Sequence, residues 1–309
     1  MAKSFSGSTA VDHAMAGFTA GAVTTLCLHP LDLVKTRFQV DETARRKHKF
    51  GATFITMKNI VSKNKFIGLY RGVAPNLAGA TSSWGFYFYL YDLTKKRMAG
   101  DEKLSILSPT QHLAASAEAG AITAFFTNPF WVVKTRMCAT DRTDPGAYKG
   151  LFDGLYQIAR YEGIKGLYKG MIPALFGVSH GALQFMAYEE LKKWRFKVNM
   201  KDPDRLNNME YLLMAATSKI FATIITYPYQ LVRARLQYQR TEIKYNGVID
   251  TIKKVYRTES ILGFYKGLAP NLIRVLPGTC TTFLVYENMM SFFKKHASYG
   301  LVIYRYYFE

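Results

Sequence analysis

Apolar and polar stretches alternate along this chain in a regular order. Six apolar stretches of roughly 20 residues each have the length that a helix needs to cross about 30 Å of hydrocarbon. They run over residues 15–34, 75–93, 113–133, 172–188, 211–232 and 268–286. The pattern predicts an all-α membrane protein with six transmembrane helices.

These stretches are polar for membrane spans. They contain Thr, Ser, Gly, Gln and His as well as Glu118 and Lys219, and the mean hydropathy of the chain is −0.05. Polar side chains within a membrane are costly unless they face a water-filled cavity. We therefore expect the six helices to surround such a cavity. A soluble all-helical protein is the alternative, but it would have difficulty covering six regularly placed apolar stretches.

Three of the polar stretches contain short amphipathic helices, predicted over residues 51–62, 151–161 and 248–258. Their Lys and Arg content suits the surface of an anionic membrane. We expect these three short helices to lie on one side of the membrane. The shorter connections, over residues 99–110 and 199–208, are expected on the other side.

Internal repeats explain this order. The motifs PLDLVKTR, PFWVVKTR and PYQLVRAR begin at Pro30, Pro129 and Pro228, so the prolines lie 99 residues apart twice. A second motif, GLYRG, GLYKG or GFYKG, follows each proline by 38, 37 and 35 residues. Repeats decide the fold when they are present. We predict three copies of one unit, over residues 1–103, 104–204 and 205–309.

The motif prolines predict where the cavity closes. A proline inside a helix removes a backbone hydrogen bond and kinks it, and Pro30, Pro129 and Pro228 each lie near the end of an odd-numbered span. Asp32 and Lys35 are one helical turn apart, so both can face a common axis. The kinks would draw three helix ends together, with a ring of acids and bases at the cavity floor. The alternative is a set of helix-end charges at the membrane interface.

Composition narrows the choice of partner. The chain has 41 Lys and Arg residues against 22 Asp and Glu residues, a net charge of +19, which indicates an anionic partner. Nucleic acid fits poorly because the basic residues recur beside apolar stretches and no helix-turn-helix, zinc-finger or RNP pattern occurs. The sequence shows no catalytic triad, phosphate loop or metal cluster, so we expect neither an enzyme nor a cofactor or metal site. The N-terminus has no secretory core or Arg-rich presequence, so any targeting signal should be internal.

The family signature P-x-(D/E)-x-x-(K/R)-x-(K/R) is complete in repeat one and matched except at its acidic position in repeats two and three, and each copy is followed by an aromatic-(K/R)-G motif. On these motifs the chain resembles the mitochondrial carrier family over nearly its whole length. The resemblance implies three αα repeats with pseudo-threefold symmetry in the inner mitochondrial membrane. It also implies alternating access, with a matrix gate and a cytoplasmic gate that open in turn, and a monomeric carrier. Cardiolipin is expected at the helix N-termini that follow Gly72, Gly170 and Gly267, where exposed amides favour phosphate.

The family's gates are incomplete in this chain. The acidic position of the matrix gate is Asp32 in repeat one, but Trp131 in repeat two and Gln230 in repeat three. We expect one full ion pair there, Asp32 with Lys134, and a hydrogen bond between Gln230 and Lys35. The residues of the expected matrix gate are Asp32, Lys35, Lys134, Gln230 and Arg233. Those of the expected cytoplasmic gate are Asp92, Lys95, Glu189, Lys192 and Glu287.

The resemblance also places substrate contacts at mid-depth on the even-numbered helices. Arg274 is the one charged residue at these contact positions, and it could bind phosphate or carboxylate through a bidentate fork; pairing with a neighbouring helix is the alternative. Gly79 and Gly177 would leave room for a flat ring system, and Gly17 and Gly21 are expected to serve close helix packing. The candidate substrate residues are Gly79, Ser83, Trp84, Gly177, Val178, His180, Lys219 and Arg274.

A tryptophan at the acidic position of repeat two is similar to the branch of the family that carries nucleotides and nucleotide-like cofactors. Segments such as FGVSHGALQFMAYE and TYPYQLVRARLQ resemble its folate- and FAD-carrying members. The resemblance therefore implies FAD or folate as the transported substrate. An NAD or pyrimidine nucleotide carrier remains an alternative, as does an uncoupling-type proton carrier.

Overall fold

The computed structural model describes residue 5 and residues 9–42, 51–99, 109–199, 208–239 and 244–308. Within these ranges the regular structure is helical. The α-helices, in chain order, are α1 Thr9–Val40, α2 Ala52–Asn64, α3 Val73–Ala99, α4 Pro109–Ala139, α5 Leu151–Leu167, α6 Met171–Leu175, α7 Gly177–Asn199, α8 Asn208–Tyr238, α9 Val248–Gly263, α10 Leu268–Ile273 and α11 Val275–Phe308. A short 3-10 helix, Phe66–Tyr70, precedes α3.

The six long helices form a closed bundle built from three similar repeats. Each repeat contributes a long first helix, which we call its odd helix because it is the first, third or fifth of the six long helices (α1, α4 or α8). A link helix (α2, α5 or α9) and a returning helix (α3, α7 or α11) follow it. The main side-by-side contacts are between repeats, α3 with α4, α7 with α8, and α11 with α1. This arrangement confirms the predicted all-α fold with pseudo-threefold symmetry.

Hydropathy alone would have missed most of these helices. Among the described residues, only Val11–Val40 is both long and apolar enough to count as a membrane span on length and composition. The cavity described below explains the low hydropathy, because helices that line a wet interior carry polar residues on one face. The spacing of the repeats was therefore the stronger signal.

The residue before each motif proline fastens the kinked helix to the turn that precedes a returning helix. The prolines lie inside α1, α4 and α8, where each removes a helix hydrogen bond. The three contacts are His29 Nε2 to the Arg71 carbonyl at 3.0 Å, Asn128 Nδ2 to the Leu167 carbonyl at 2.8 Å, and Tyr227 hydroxyl to the Lys266 carbonyl at 3.0 Å. Different side chains thus hold each kink in the same way.

Three glycines let the chain pack against the next odd helix just before α3, α6 and α10. Gly72, Gly170 and Gly267 have φ of 83°, 75° and 83°, a left-handed conformation that glycine adopts without strain. A Cβ atom on Gly267 would lie 2.8 Å from the Lys35 carbonyl oxygen, and one on Gly72 would lie 2.8 Å from the Cys138 sulfur. Backbone packing therefore accounts for these glycines without any ligand.

Three arginines close the bundle at the end where the odd helices finish, which we call the closed end. Each arginine Nε donates to a backbone carbonyl on the next odd helix, so that α1, α4 and α8 form a ring. The bonds are Arg37 to Cys138 at 3.1 Å, Arg136 to Gln237 at 2.8 Å, and Arg235 to Gln39 at 3.1 Å. All three arginines are the last residues of the repeated motifs, whose spacing alone did not predict this ring.

Carboxylates from the closed end hold these arginines in place. Arg136 binds Glu162 of α5, and Arg235 binds Glu259 of α9. Burial alone would raise the pKa of Glu259, but hydrogen bonds from Arg235 and Lys266 outweigh burial and hold the pKa below its usual value. The Glu259 carboxylate is therefore charged at neutral pH and compensates the buried arginine.

In repeat one, the motif arginine is also held by a carboxylate, but the carboxylate comes from a different position in the chain. Asn64 stands where the other repeats have glutamate, and its Nδ2 donates to Asp141 at 2.9 Å. Asp141, which follows α4, accepts from Arg37 at 2.5 Å. The link segment also bends alike in all three repeats, because Lys65, Gly163 and Ser260 have φ of 56°, 68° and 62°. Lysine, glycine and serine therefore adopt the same backbone conformation at this point of the three repeats.

Replacing Glu259 with Gln should destabilise the protein. The Arg235 and Glu259 side chains are only 2% and 1% exposed. Breaking a buried pair typically costs about 3–5 kcal/mol, because one charge is left buried without a partner. We expect a clear fall in the melting temperature of the purified protein in detergent.

The control for this variant is Glu190→Gln. Glu190 and Lys193 form an ion pair whose side chains are 67% and 63% exposed, and exposed pairs contribute little to stability. Its melting temperature should match that of the native protein. If Glu259→Gln also melts at the native temperature, the arginine ring does not stabilise the fold as described.

Candidate functional site

A polar cavity of about 560 Å³ opens between α1, α8 and the α10–α11 segment. Four of its lining residues, Val275, Thr279, Thr282 and Tyr286, follow one another at helical spacing along α11. This stripe was not predicted, although its spacing of three to four residues is visible in the sequence. The charged and hydrogen-bonding side chains that line the cavity include Asp32, Lys35, His180, Lys219, Gln230 and Arg274.

Arg274 and Asp32 form an ion pair in this cavity. The prediction that Asp32 pairs with Lys134 is therefore wrong for this conformation. Arg274 lies where α10 ends and α11 begins, and from there its long side chain reaches the α1 carboxylate. The pairing of Arg274 with a neighbouring helix, which was the alternative to a substrate contact, is thus present, and its side chain still keeps 34% exposure toward the cavity.

Below this pair, the floor of the cavity contains more bases than acids. The hydrogen bond expected from Lys35 Nζ to Gln230 Oε1 is present, at 3.2 Å. Lys134 Nζ and the Arg233 guanidinium lie 5.8 Å and 5.9 Å from the centre of a Trp131 ring. The face of an aromatic ring attracts a cation. Trp131 therefore contacts both bases from the motif position that a carboxylate, Asp32, occupies in repeat one.

Gly79 makes room for Trp131 in this conformation. A Cβ atom at Gly79 would lie 3.3 Å from Phe130 Cβ and 3.4 Å from the Trp131 ring. The expected open space for a flat cargo ring is therefore filled here by the indole. At Gly177 the nearest atom, the Tyr229 hydroxyl, would be 3.6 Å away, so this position is less crowded.

Of the other candidate substrate residues, two line the cavity, two lie outside its lining, and one has a side chain outside the described residues. Lys219 and His180 line the cavity, and His180 Nδ1 shares a hydrogen bond of 2.9 Å with the Thr226 hydroxyl. Trp84 is 63% exposed and stacks on Phe88, which suits a lipid-interface anchor. Ser83 is half-buried and lies outside the lining of this cavity. The side chain of Val178 lies outside the described residues.

Lys219 differs from the other cavity cations in its surroundings. Within the described residues it has no ion-pair partner, and it lines the cavity one turn before Thr223 on α8. Arg274, by contrast, has Asp32 beside it. Lys219 is therefore available to a bound anion without first breaking a contact within the protein.

At the end of the bundle opposite the closed end, which we call the open end, two described ion pairs join repeats, Arg97 with Glu118 and Arg195 with Glu210. Neither of these pairs uses a predicted gate residue. Asp92 binds Lys96, one turn along its own helix, instead of a base on another helix. Lys95 and Glu287 are exposed, whereas Glu189 and Lys192 are half-buried. The described ion pair at Asp92 therefore does not join two repeats.

Gly17 and Gly21 widen the space on the open-end side of the cavity. A Cβ atom on either glycine would have no neighbour within 4 Å. The prediction that this pair serves close helix packing is therefore wrong. Both glycines lie on α1 at helical spacing from Thr24 and Leu28, which line the cavity, so the open space continues toward the open end.

The kinked six-helix bundle, with its polar cavity closed at one end, defines a membrane transporter. The family model for mitochondrial carrier proteins matches residues 6–102, 105–199 and 204–297 of the chain. The chain therefore belongs to the mitochondrial carrier family, whose members are transporters and not enzymes.

Several relatives in this family have names that state their cargo. The chain is 40% identical over 293 residues to the Nicotinamide adenine dinucleotide transporter 2, mitochondrial, of Arabidopsis thaliana, covering 92% of the chain and 80% of the relative. It is 40% identical over 306 residues to the Folate transporter 1, chloroplastic, of the same plant, covering 92% and 96%. It is 37% identical over 298 residues to the Mitochondrial FAD carrier protein FLX1 of Saccharomyces cerevisiae, covering 89% and 94%.

Asp32→Asn should impair the transport of every substrate. The variant leaves Arg274 without its counter-charge and removes the one carboxylate from the motif ring at the closed end. We expect a strong fall in uptake by liposomes that contain the purified protein. The exposed-pair variant Glu190→Gln should keep native uptake, and native uptake by Asp32→Asn would contradict this account of the gate.

Proposed function

We propose that this chain carries FAD or folate between cytosol and matrix across the inner mitochondrial membrane, as a monomer, by alternating access. The observation that carries the proposal is the cavity lined by Arg274, Lys219 and Lys35, in a chain similar over most of its length to an FAD carrier and a folate transporter. Cations inside a membrane bundle usually mark the path of an anion.

Within this cavity, Arg274 and Lys219 contact the anionic part of the cargo. A phosphate or carboxylate that approaches Arg274 competes with Asp32 for the guanidinium, whereas Lys219 has no such competitor among the described residues. The flat ring system lies toward the open end, beside Gly177 and the open faces of Gly17 and Gly21. Gly79 becomes available to the ring only if Trp131 moves.

NAD is the second candidate cargo, and a specific observation favours it. Relatives named as nicotinamide adenine dinucleotide transporters match the chain at 40% identity, one described as mitochondrial and one as chloroplastic. NAD and FAD share a diphosphate that joins two nucleoside-like halves. The same pair of cavity cations therefore suits either molecule, and transport must decide between them.

Lipid phosphates would bind at the surface of the same bundle. An apolar groove of about 530 Å³ runs between α6, α8 and α9, with Phe176, Val232 and Ile252 in its wall. The backbone amides at the start of α9, which follow Gly247, lie close to this groove and favour an anionic headgroup. We place cardiolipin here and at the turns that follow Gly72, Gly170 and Gly267.

Uptake of labelled FAD, folate, NAD and UTP into liposomes tests the proposal directly. We expect FAD or folate to enter and UTP to be excluded. Arg274→Ala should abolish this uptake, because it removes the guanidinium that would bind the anionic part of the cargo. Gly177→Leu should also stop transport, because its side chain would occupy the space left for the ring.

A double variant separates the two roles of Arg274. In Asp32→Asn with Arg274→Ala, neither member of the ion pair leaves an unpaired charge behind. If Arg274 contacts the cargo, the KM for uptake should be much higher in the double variant than in Asp32→Asn alone. Equal KM values would remove Arg274 from the substrate site and leave Lys219 as the anion contact. Exclusion of all four labelled compounds would overturn the proposed function.

Cardiolipin should raise the melting temperature of the protein in detergent. A ligand that binds the native state stabilises it in proportion to the logarithm of its concentration above the dissociation constant. We expect the melting temperature to rise with added cardiolipin and to rise much less with a neutral phospholipid. Equal shifts with both lipids would contradict specific binding of the anionic headgroup.

A further inference from the structure

A second cavity, of about 300 Å³, lies between α1, α4 and α8 on the closed-end side of the gate. Each of these helices contributes one base to its wall, namely Lys35, Lys134 and Arg233. Among the described residues that line it there is no carboxylate. Three positive charges therefore face one small space with no opposite charge beside them.

The missing counter-charge follows from the sequence of this chain. Two of the three acidic motif positions are occupied by neutral residues, Trp131 and Gln230. The third, Asp32, lines the main cavity, where it binds Arg274. Trp131 offers its ring face to Lys134 and Arg233, but an aromatic ring carries no net charge.

The cavity also contains hydrogen-bond donors without acceptors. Gln237 is 2% exposed, and its Nε2 has no hydrogen-bond partner, although its Oε1 accepts from the Thr135 hydroxyl at 2.8 Å. The Nε of Arg233 is buried and equally without a partner. Buried donors are almost always satisfied in folded proteins. Both side chains line this cavity, so two buried donors in its wall have no acceptor, in addition to the three bases that have no carboxylate beside them.

We propose that a small inorganic anion, chloride or phosphate, binds in this cavity between Lys35, Lys134 and Arg233. The bound anion supplies the charge that the missing carboxylates would have provided. Water could accept from Gln237, but it would leave the three bases to repel one another in a region of low dielectric. The anion therefore stabilises the conformation in which the three odd helices meet.

Thermal unfolding of the purified protein in detergent, without any transport substrate, tests this site. Sodium chloride and sodium phosphate are each titrated against sodium gluconate at constant ionic strength, since gluconate is a much bulkier anion than chloride or phosphate. We expect the melting temperature to rise and level off with chloride or with phosphate, and the salt that acts at the lower concentration identifies the anion. Equal melting temperatures in all three salts would overturn the proposal and leave water in the cavity.

Gln230→Glu supplies a built-in counter-charge next to Lys35. We expect this variant to be more stable than the native protein in gluconate and to lose the response to chloride and phosphate. Asn288→Asp adds the same charge at an exposed position on α11, and it should keep the native response. A full anion response in Gln230→Glu would show that the anion binds elsewhere.

A second measurement stays informative if Gln230→Glu does not fold. Crystals of the native protein grown in sodium bromide should show an anomalous scattering peak in contact with Lys134 and Arg233. If chloride raises the melting temperature, absence of a bromide peak in the cavity would overturn the proposal; if phosphate alone raises it, the same test is made with arsenate, whose arsenic also scatters anomalously. Because neither experiment uses FAD, folate or NAD, the outcome does not depend on which cargo the chain carries.

Discussion

The contact on which this structure depends is the hydrogen bond from a motif arginine to the backbone of the next odd helix. Arg37, Arg136 and Arg235 repeat it around the bundle, so that α1, α4 and α8 close into a ring. Each guanidinium also binds a carboxylate, which compensates its burial. With the ring closed, the prolines direct the three helix ends toward one point, and the polar cavity has a floor.

Above this ring, the chain closes its gate with few carboxylates. Lys35 donates a hydrogen bond to the side-chain amide of Gln230, and Lys134 and Arg233 both lie near the ring of Trp131. The one motif carboxylate, Asp32, is paired with the cavity residue Arg274. Under the proposed function, cargo and gate would meet at this single ion pair, since an anion that binds Arg274 would also release Asp32. A gate of this kind can open by exchanging partners without separating three buried ion pairs.

The repeats made the fold predictable, but they did not make the partners of individual side chains predictable. Three copies of two motifs were enough to place six long helices and three link helices, and the bond between Lys35 and Gln230 followed from the motif positions. The pairing of Asp32 with Arg274 did not, because it joins residues that belong to different motifs and depends on how α10 meets α11. The filled space at Gly79 and the open space at Gly17 likewise depend on packing between repeats, which sequence spacing does not specify.

The central claim is that the odd helices meet at the closed end in the resting protein and separate during transport. Pulsed electron paramagnetic resonance can measure this with spin labels at Ala139 and Tyr238, near the ends of α4 and α8, after replacement of Cys27, Cys138 and Cys280. The account predicts one short, narrow distance distribution without cargo and an additional longer distance when a transported substrate is present. A single distribution that is unchanged by a substrate the protein transports would contradict it.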